Sequence, residues 1–355
     1  MEIVYDEDSL AKYMALAVEA SGEHPVLIDQ FLEDAIEVDV DLLGDGKTFV
    51  VGGVLEHIEE AGIHSGDSAM VLPPFSLKKE LVEELLTKTK QIARSLKVVG
   101  LMNVQYAIKG GTVYCLEVNP RASRTVPFVS KAIGVPLARY AAQAMAGKTL
   151  KELGFTEEKW PKHIAIKESV FPFIKFPGVD IILTPEMKST GEVMGIDEEL
   201  GRAFYKSQSA ASAQLPLKGK VFVSVKNQDK TKIVPIARKL AELGFLLVAT
   251  RGTAEFLRKA GVHAEPVLKL VEGRPNIADL IRNGEIQLLI NTPSGKGPML
   301  DEAKIRSLAV SFNIPCITTI NAARMAVSGI ESATKGNLEV RALQDYHPSL
   351  CTTKP

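Results

Sequence analysis

The stretch Cys115-Leu-Glu-Val-Asn-Pro-Arg-Ala-Ser-Arg124 decides how this chain is read. It begins as a strand and ends in a loop with two arginines. Glu117 and Asn119 are two residues apart, so on a strand they point to the same face. Pro120 ends the hydrogen-bond ladder because it has no N–H to donate. Arg121 and Arg124 follow at once. One face thus carries a carboxylate, an amide oxygen and two permanent cations. Oxygen ligands suit a hard cation such as Mg²⁺, and guanidinium forks hold phosphate oxygens in bidentate pairs. Taken alone, the ten residues fit a metal–nucleotide site. They also fit a polar strand end with surface salt bridges.

The neighbouring residues favour the site. Residues 100–109 read as a strand with Asn103 and Gln105 on one face, Gly110-Gly111 turns the chain, and 112–118 returns. Such a hairpin brings Gln105 near Glu117 and Asn119, an oxygen cup that ATP phosphates would complete around Mg²⁺. Upstream, Asp8 is expected to cap a helix over 9–19, and 26–31 reads as a short buried strand. The alternation Glu37-Val-Asp-Val-Asp-Leu-Leu43 sets Glu37, Asp39 and Asp41 on one face, expected to be solvated for Asp39 and Asp41. Gly44-Asp-Gly46 supplies a hairpin turn before a strand over 48–57. Gly46-Lys47-Thr48 is no phosphate loop, because Asp41 stands where that motif needs glycine. Residues 56–68 look too polar for a core strand, and His57 and His64 are read as hydrogen-bonding loop residues rather than metal ligands. Leu77, Leu81, Leu85 and Ile92 mark an amphipathic helix over 76–96.

Composition bounds the rest. The 355 residues suggest two or three domains, and 46% hydrophobic with 24% charged residues is ordinary for a globular protein. A net charge of −1 gives no electrostatic reason to expect nucleic acid or an anionic membrane. The three cysteines, Cys115, Cys316 and Cys351, are far apart and lack metal-ligand spacing. A reducing cytoplasm is the expected compartment. No apolar run approaches membrane-span length, and the acidic start lacks a signal-peptide pattern.

After residue 215 the pattern changes. Residues 209–220 read as a linker. Short apolar strands over 221–225, 245–249, 287–291 and 316–318 alternate with helices over 230–243, 252–260, 277–282, 301–312 and 321–328. That alternation argues a parallel sheet covered on both faces, with ligands beyond the carboxyl ends of the strands. Thr250-Arg-Gly-Thr253 opens a helix there, and Asn291-Thr-Pro-Ser-Gly295 forms a polar turn. Ser224, Lys230 and Lys269 stand nearby. Together they suggest a pocket for a phosphate monoester.

Leu-Glu-Val-Asn-Pro-Arg-Ala-Ser-Arg-Thr-Val-Pro-Phe-Val-Ser-Lys (116–131) resembles the ATP-grasp signature of the carbamoyl phosphate synthetase large subunit. So do Glu-His-Ile-Glu-Glu-Ala-Gly-Ile-His-Ser-Gly-Asp-Ser (56–68), Lys-Phe-Pro-Gly-Val-Asp (175–180) and Pro-Glu-Met-Lys-Ser-Thr-Gly-Glu-Val-Met-Gly (185–195). The resemblance implies the C-terminal portion of an ATP-grasp domain over 1–147, a connector completing the synthetase unit over 148–215, and a methylglyoxal synthase-like regulatory domain over 216–355. The implied fold is an antiparallel ATP-grasp sheet followed by a doubly wound parallel sheet.

The resemblance further implies site roles. Gln105, Glu117 and Asn119 look like metal ligands, Glu117 and Gln105 also serving the nucleotide. Gln30, Leu32 and Glu37 look like the adenosine side, and Gly62, Ile63, His64 and Ser65 like the ribose and phosphate loop. Arg121 and Arg124 look like the grip on the transferring phosphoryl group and carbamate. Glu59, Asp67 and Glu168 look like a pocket for a cationic activator such as ornithine. Ser224, Lys230, Thr250, Thr253, Lys269 and Asn291 look like contacts to a nucleotide effector, UMP or IMP. Thr, Ser and Asn stand where methylglyoxal synthase has catalytic aspartates, so binding without catalysis is expected.

The implied activity is ATP-dependent phosphorylation of carbamate to carbamoyl phosphate, for arginine and pyrimidine biosynthesis. The implied partners are the N-terminal part of the large subunit and a glutaminase small subunit. The earlier half of the ATP-grasp module lies outside this sequence, so the chain alone is expected to be inactive. The alternative is a regulatory nucleotide-binding fragment without catalysis of its own.

Overall fold

The computed structural model describes residues 3–347 apart from 5, 23, 177, 294–298 and 337. Helix α1 (Glu7–Ser21) starts at Asp6, whose carboxylate accepts the N–H of Ser9 at 2.8 Å. The cap is therefore Asp6 and not Asp8. Residues 26–31 form no strand; their apolar side chains Leu27 and Ile28 stay exposed.

Seven strands build the first sheet. They are β1 (Ile36–Asp45), β2 (Phe49–His57), β3 (Met70–Leu72), β4 (Val99–Lys109), β5 (Thr112–Asn119), β6 (Ile164–Val170) and β7 (Gly191–Asp197), in the order β5-β4-β1-β2-β3-β6-β7 and antiparallel throughout. The period-2 pattern of β1 explains how the sheet is covered. Val38, Val40 and Leu42 pack against Leu85 and Ala93 of α2 (Lys79–Ser95) on one face. On the other face, Leu43 and Leu55 join Val126, Val129 and Leu137 of α3 (Thr125–Ile133) and α4 (Leu137–Met145). Each fully buried aliphatic side chain contributes about 1.5–3 kcal/mol. Because both faces are covered, the expectation of a solvated acidic face fails: Asp39 is 2% and Asp41 1% exposed. The polar run at 56–68 likewise begins inside the core, with Glu56 and His57 buried in β2.

The second sheet has five strands. They are β8 (Lys220–Ser224), β9 (Leu246–Thr250), β10 (Glu265–Val267), β11 (Ile286–Asn291) and β12 (Cys316–Ile317), parallel in the order β10-β9-β8-β11-β12. One face carries α6 (Lys230–Glu242), α7 (Arg251–Lys259) and α10 (Ile320–Lys335), and the other α8 (Ile277–Arg282) and α9 (Met299–Ser311). This is the doubly wound arrangement expected from the alternation of elements.

The two sheets share packed surface. Ile58, Ala69, Val71 and Ile166 of the first belong to one core cluster with Val221, Val223 and Ile330 of the second. Helix α5 (Leu200–Ala210) joins them by packing on β7 and α10. A Cβ on Gly201 would lie 2.7 Å from the Ser328 carbonyl, and one on Gly329 would lie 3.2 Å from the Gly201 carbonyl. Two glycines thus let α5 and α10 touch backbone to backbone. The expected linker is correspondingly shorter than 209–220, since α5 runs to Ala210.

Candidate functional site

The hairpin β4–β5 forms as the sequence predicts. Gln105 pairs with Glu117 and Asn103 with Asn119, and residues directly opposite in an antiparallel pair share a face. Strand β5 is the sheet edge, so Glu117 is exposed while Gln105 and Asn119 are half-buried. One carboxylate and two amide oxygens on one open face are a donor set that fits Mg²⁺ or Mn²⁺. Beyond Pro120, the N–H of Arg121 donates to the Asn119 carbonyl at 2.8 Å, and the Arg121 and Arg124 side chains are exposed.

The same face of the sheet continues into β1 and β2. Asp39 pairs with Gln105, and His57 lies between Glu37 and Asp39. Its Nδ1 is 3.4 Å from Glu37 Oε2 and its Nε2 3.6 Å from Asp39 Oδ1, neither with hydrogen-bond geometry. Burial pulls the imidazole down, but the two carboxylates overcome this and push it up to about 9. His57 is thus buried in a strand, with two carboxylates favouring its charged form, and is not a loop residue. The second oxygen of Glu37 accepts the N–H of Gly62 at 3.0 Å. Gly62 has φ 91°, and a Cβ there would lie 2.8 Å from the Phe31 ring. Only glycine lets segment 30–32, with Gln30 and Leu32, lie against the loop carrying Ile63, His64 and Ser65. That loop is tied further: the N–H of His64 donates to the Thr184 carbonyl at 3.0 Å, and His64 Nδ1 accepts the N–H of Gly66 at 3.0 Å.

An acidic pair stands nearby, Glu59 at the start of the same loop and Glu168 on β6. Glu168 Oε2 accepts Gln208 Nε2 at 2.6 Å, and Thr319 Oγ1 lies 3.5 Å from Glu59 Oε2. Burial pushes Glu168 up to about 8, aided by the charge of Glu59. Burial also pushes Glu59 up to about 7, with Glu60 adding to it. Asp67 has a different role, because its oxygens accept the backbone N–H groups of Lys188 at 2.7 Å and Ser189 at 2.9 Å. Lys167 is fully buried with Nζ 3.4 Å from the Ser65 carbonyl, and burial lowers its pKa.

At the carboxyl ends of β8, β9 and β11 most of the predicted phosphate contacts meet. Thr250 Oγ1 lies 3.4 Å from Ser224 Oγ and 3.2 Å from Thr253 Oγ1, within hydrogen-bond reach of both hydroxyls. Asn291 Nδ2 donates to the Ser224 carbonyl at 3.0 Å. The Lys230 ammonium lies 3.5 Å from where a Cβ on Gly252 would be, beside the start of α7. Lys269 is half-buried on the loop after β10, and its N–H donates to Glu272 at 2.9 Å; no contact draws its ammonium to the others. Ser294 and Gly295 of the expected turn lie outside the described residues, as does Cys351.

The sequence reading missed Arg306. It is 2% exposed and donates from Nε and Nη2 to Asp180 at 2.7 and 2.5 Å and from Nη1 to Asn291 at 2.6 Å. An arginine in a helix carries no signal of such a fork. Gln208 and Thr319 were missed for the same reason, since only the fold brings them to Glu168 and Glu59. Thr319 does announce a helix N-cap, accepting the N–H of Ala322 at 3.2 Å.

The antiparallel sheet with its open hairpin and the doubly wound parallel sheet define two joined domains. Family models agree: residues 1–153 match the carbamoyl-phosphate synthase L chain ATP binding domain and 232–318 the MGS-like domain. Among curated relatives, the carbamoyl phosphate synthase large chains of Archaeoglobus fulgidus and Myxococcus xanthus are 56% and 58% identical over 98% of this chain and 32% of their own length. A Methanosarcina barkeri large chain is 52% identical over 99% of this chain and 88% of its own. The chain belongs to the carbamoyl phosphate synthase large chain family. It spans about a third of the length of the first two relatives. Among solved structures, a biotin carboxylase from Campylobacter jejuni aligns with TM-score 0.47 and 13% identity, over 60% of this chain and 54% of that one. No helix among the described residues is long and apolar enough to cross a membrane.

Proposed function

We propose that the face bearing Gln105, Glu117 and Asn119 is the ATP- and metal-binding site at which carbamate is phosphorylated to carbamoyl phosphate. The pairing of Gln105 with Glu117, followed at once by two exposed arginines, carries this reading. Two anions must meet for phosphoryl transfer, so neutralising charge is most of the catalysis. Gln105, Glu117 and Asn119 would hold Mg²⁺ or Mn²⁺, which when bound screens the ATP phosphates. Arg121 and Arg124 grip the transferring phosphoryl group and the carbamate, and the exposed loop lets both forks reach the same oxygens. Gln30, Leu32 and Glu37 hold the adenosine side, and Gly62, Ile63, His64 and Ser65 the ribose and phosphates.

In this reading the working units are 1–147, 148–215 and 216–355, and the partners are the remaining part of the large chain and a glutaminase small subunit. Ser224, Lys230, Thr250, Thr253 and Asn291 hold the phosphate of a nucleotide effector such as UMP or IMP. Glu59 and Glu168 hold a cationic activator of the ornithine kind. In the assembled synthase, Glu117→Ala abolishes ATP formation from carbamoyl phosphate and ADP. Survival of that reaction would refute the site. A second reading, a regulatory nucleotide binder without chemistry, rests on the hydroxyl cluster at Thr250, and in that case Glu117→Ala changes nothing while Thr250→Val removes nucleotide binding.

A further inference from the structure

Asp41 is buried at the middle of β1, and the three side chains that bond it are neutral. Its Oδ1 accepts Asn103 Nδ2 at 3.0 Å and Ser123 Oγ at 2.7 Å, and its Oδ2 accepts Thr125 Oγ1 at 2.5 Å. Ser123 Oγ and Thr125 Oγ1 lie 2.8 Å apart, so the two hydroxyls converge on the one carboxylate. The donors come from two places that the chemistry must hold together. Asn103 sits on β4, opposite Asn119 and two residues before Gln105. Ser123 and Thr125 flank Arg124, Ser123 in the loop that follows Pro120 and Thr125 as the first residue of α3.

A carboxylate here is costly. Desolvation lifts Asp41 to about 6 against the pull of Thr125, Asn103 and Ser123, with Asp39 adding to the rise. Hydrogen-bonded packing alone does not call for a charge. What a carboxylate offers and an amide lacks is acceptor capacity on both oxygens, so that three donors converge on one group. The carboxylate is therefore suited to fixing one backbone piece against another.

We propose that Asp41 is a positioning residue: it ties the Arg121–Arg124 loop to the strand carrying the metal-binding oxygens, so that guanidinium and metal act on the same phosphoryl group. The proposal rests on the phosphoryl-transfer reading above. Loss of the tether leaves both sets of groups in the molecule but lets the loop shift, and a displacement of about 1 Å costs up to roughly 100-fold in rate. The adenosine side at Glu37 and Gly62 hangs on different bonds, so affinity for the nucleotide is spared.

The test uses the assembled synthase and the formation of ATP from carbamoyl phosphate and MgADP. Asp41→Asn keeps size and shape but turns one acceptor into a donor. It is expected to lower kcat by at least tenfold and to leave KM for MgADP within about twofold, at a temperature well below its own melting point. Ser123→Ala, at a half-exposed position, reports separately should Asp41→Asn fold poorly; it lowers kcat in the same direction. Thr125→Ser, which keeps the hydroxyl, retains most of the rate, whereas Thr125→Val does not. Adding Asp41→Asn to Ser123→Ala/Thr125→Val costs little more, because the tether is already cut. Wild-type kcat in Asp41→Asn or Ser123→Ala, or fully multiplicative losses, would overturn the proposal. Glu117→Ala run alongside separates the failures: if it too keeps full rate, the phosphoryl-transfer site itself is wrongly assigned.

Discussion

Binding of a diamino cation between Glu59 and Glu168 should expel protons, and the number follows from the structure. Burial holds Glu59 at about 7 and Glu168 at about 8. At pH 7 about half of the Glu59 carboxyls and about nine-tenths of the Glu168 carboxyls keep a proton, so the free pair carries a little more than one. An ammonium seated between them favours the charged forms and drops both below neutrality. Seating ornithine there at pH 7 should therefore release about 1.4 protons. The sign is fixed: the free state holds more protons than the bound one, so affinity rises with pH, by tens of fold from pH 6 to pH 7 and about tenfold from pH 7 to pH 8, and levels off toward pH 9. Titration calorimetry at pH 7 in two buffers of different ionisation enthalpy reads the proton count directly. Glu168→Gln should cut the release to about half a proton or less. Binding with a buffer-independent heat would refute the reasoning, because it would mean that the pair is already charged or that the ligand sits elsewhere.

Two further outcomes test the buried charges. His57 is raised from 6.5 to about 9, so its contribution to stability is complete below pH 6.5 and is lost as pH rises through 9. It amounts to roughly 3 kcal/mol; melting curves from pH 6 to 9.5 should fall steeply for the wild type and more shallowly for His57→Gln, and superimposable slopes would count against a charged His57. Removing the Arg306 fork in Arg306→Ala strands Asp180 and the Asn291 side-chain Oδ1. Urea unfolding should show a loss of about 3 kcal/mol, only partly restored by lysine, which lacks the planar fork; a loss under about 1 kcal/mol would show that the pair behaves as a surface contact.

The sequence made some features legible because they are local. Alternation exposed the face of Glu117 and Asn119, and Gly110-Gly111 set the hairpin that brings Gln105 opposite. The regular strand–helix spacing after residue 220 gave the parallel sheet. What stayed hidden depends on what covers a face. The polar side of β1 reads as solvated because alternation in antiparallel sheets often means one wet face. Here α3 and α4 cover it, and α3, which begins at Thr125 inside the arginine loop, was not foreseen. Short strands such as β3 and β10, three residues each, are below the length at which a period shows. Arg306, Gln208 and Thr319 acquire meaning only through partners more than ten positions away.

The loop from Glu59 to Ser68 is the place where these hidden contacts converge. Glu59 reaches Thr319 at the head of α10, in the second sheet's unit. Gly62 donates to Glu37, and His64 to the carbonyl of Thr184. Thr184 lies four residues from Asp180, which Arg306 clasps while holding Asn291 at the end of β11. Lys167 lies against the carbonyls of Ser65 and Gly66 from the adjoining strand, one residue before Glu168. An occupant of the acidic pair therefore sits directly against the loop proposed to hold ribose and phosphate, and one at the β11 end connects to it through Arg306, Asp180 and the segment up to Thr184. Close-packed parts of this kind shift between discrete arrangements rather than bend continuously. Contiguity alone is not coupling, but it fixes where coupling has to pass: cutting Arg306–Asp180 should weaken any effect exerted from the β11 end and leave that of a cation at Glu59 and Glu168 intact, since the second route runs through Thr319 and Lys167 and does not use Arg306.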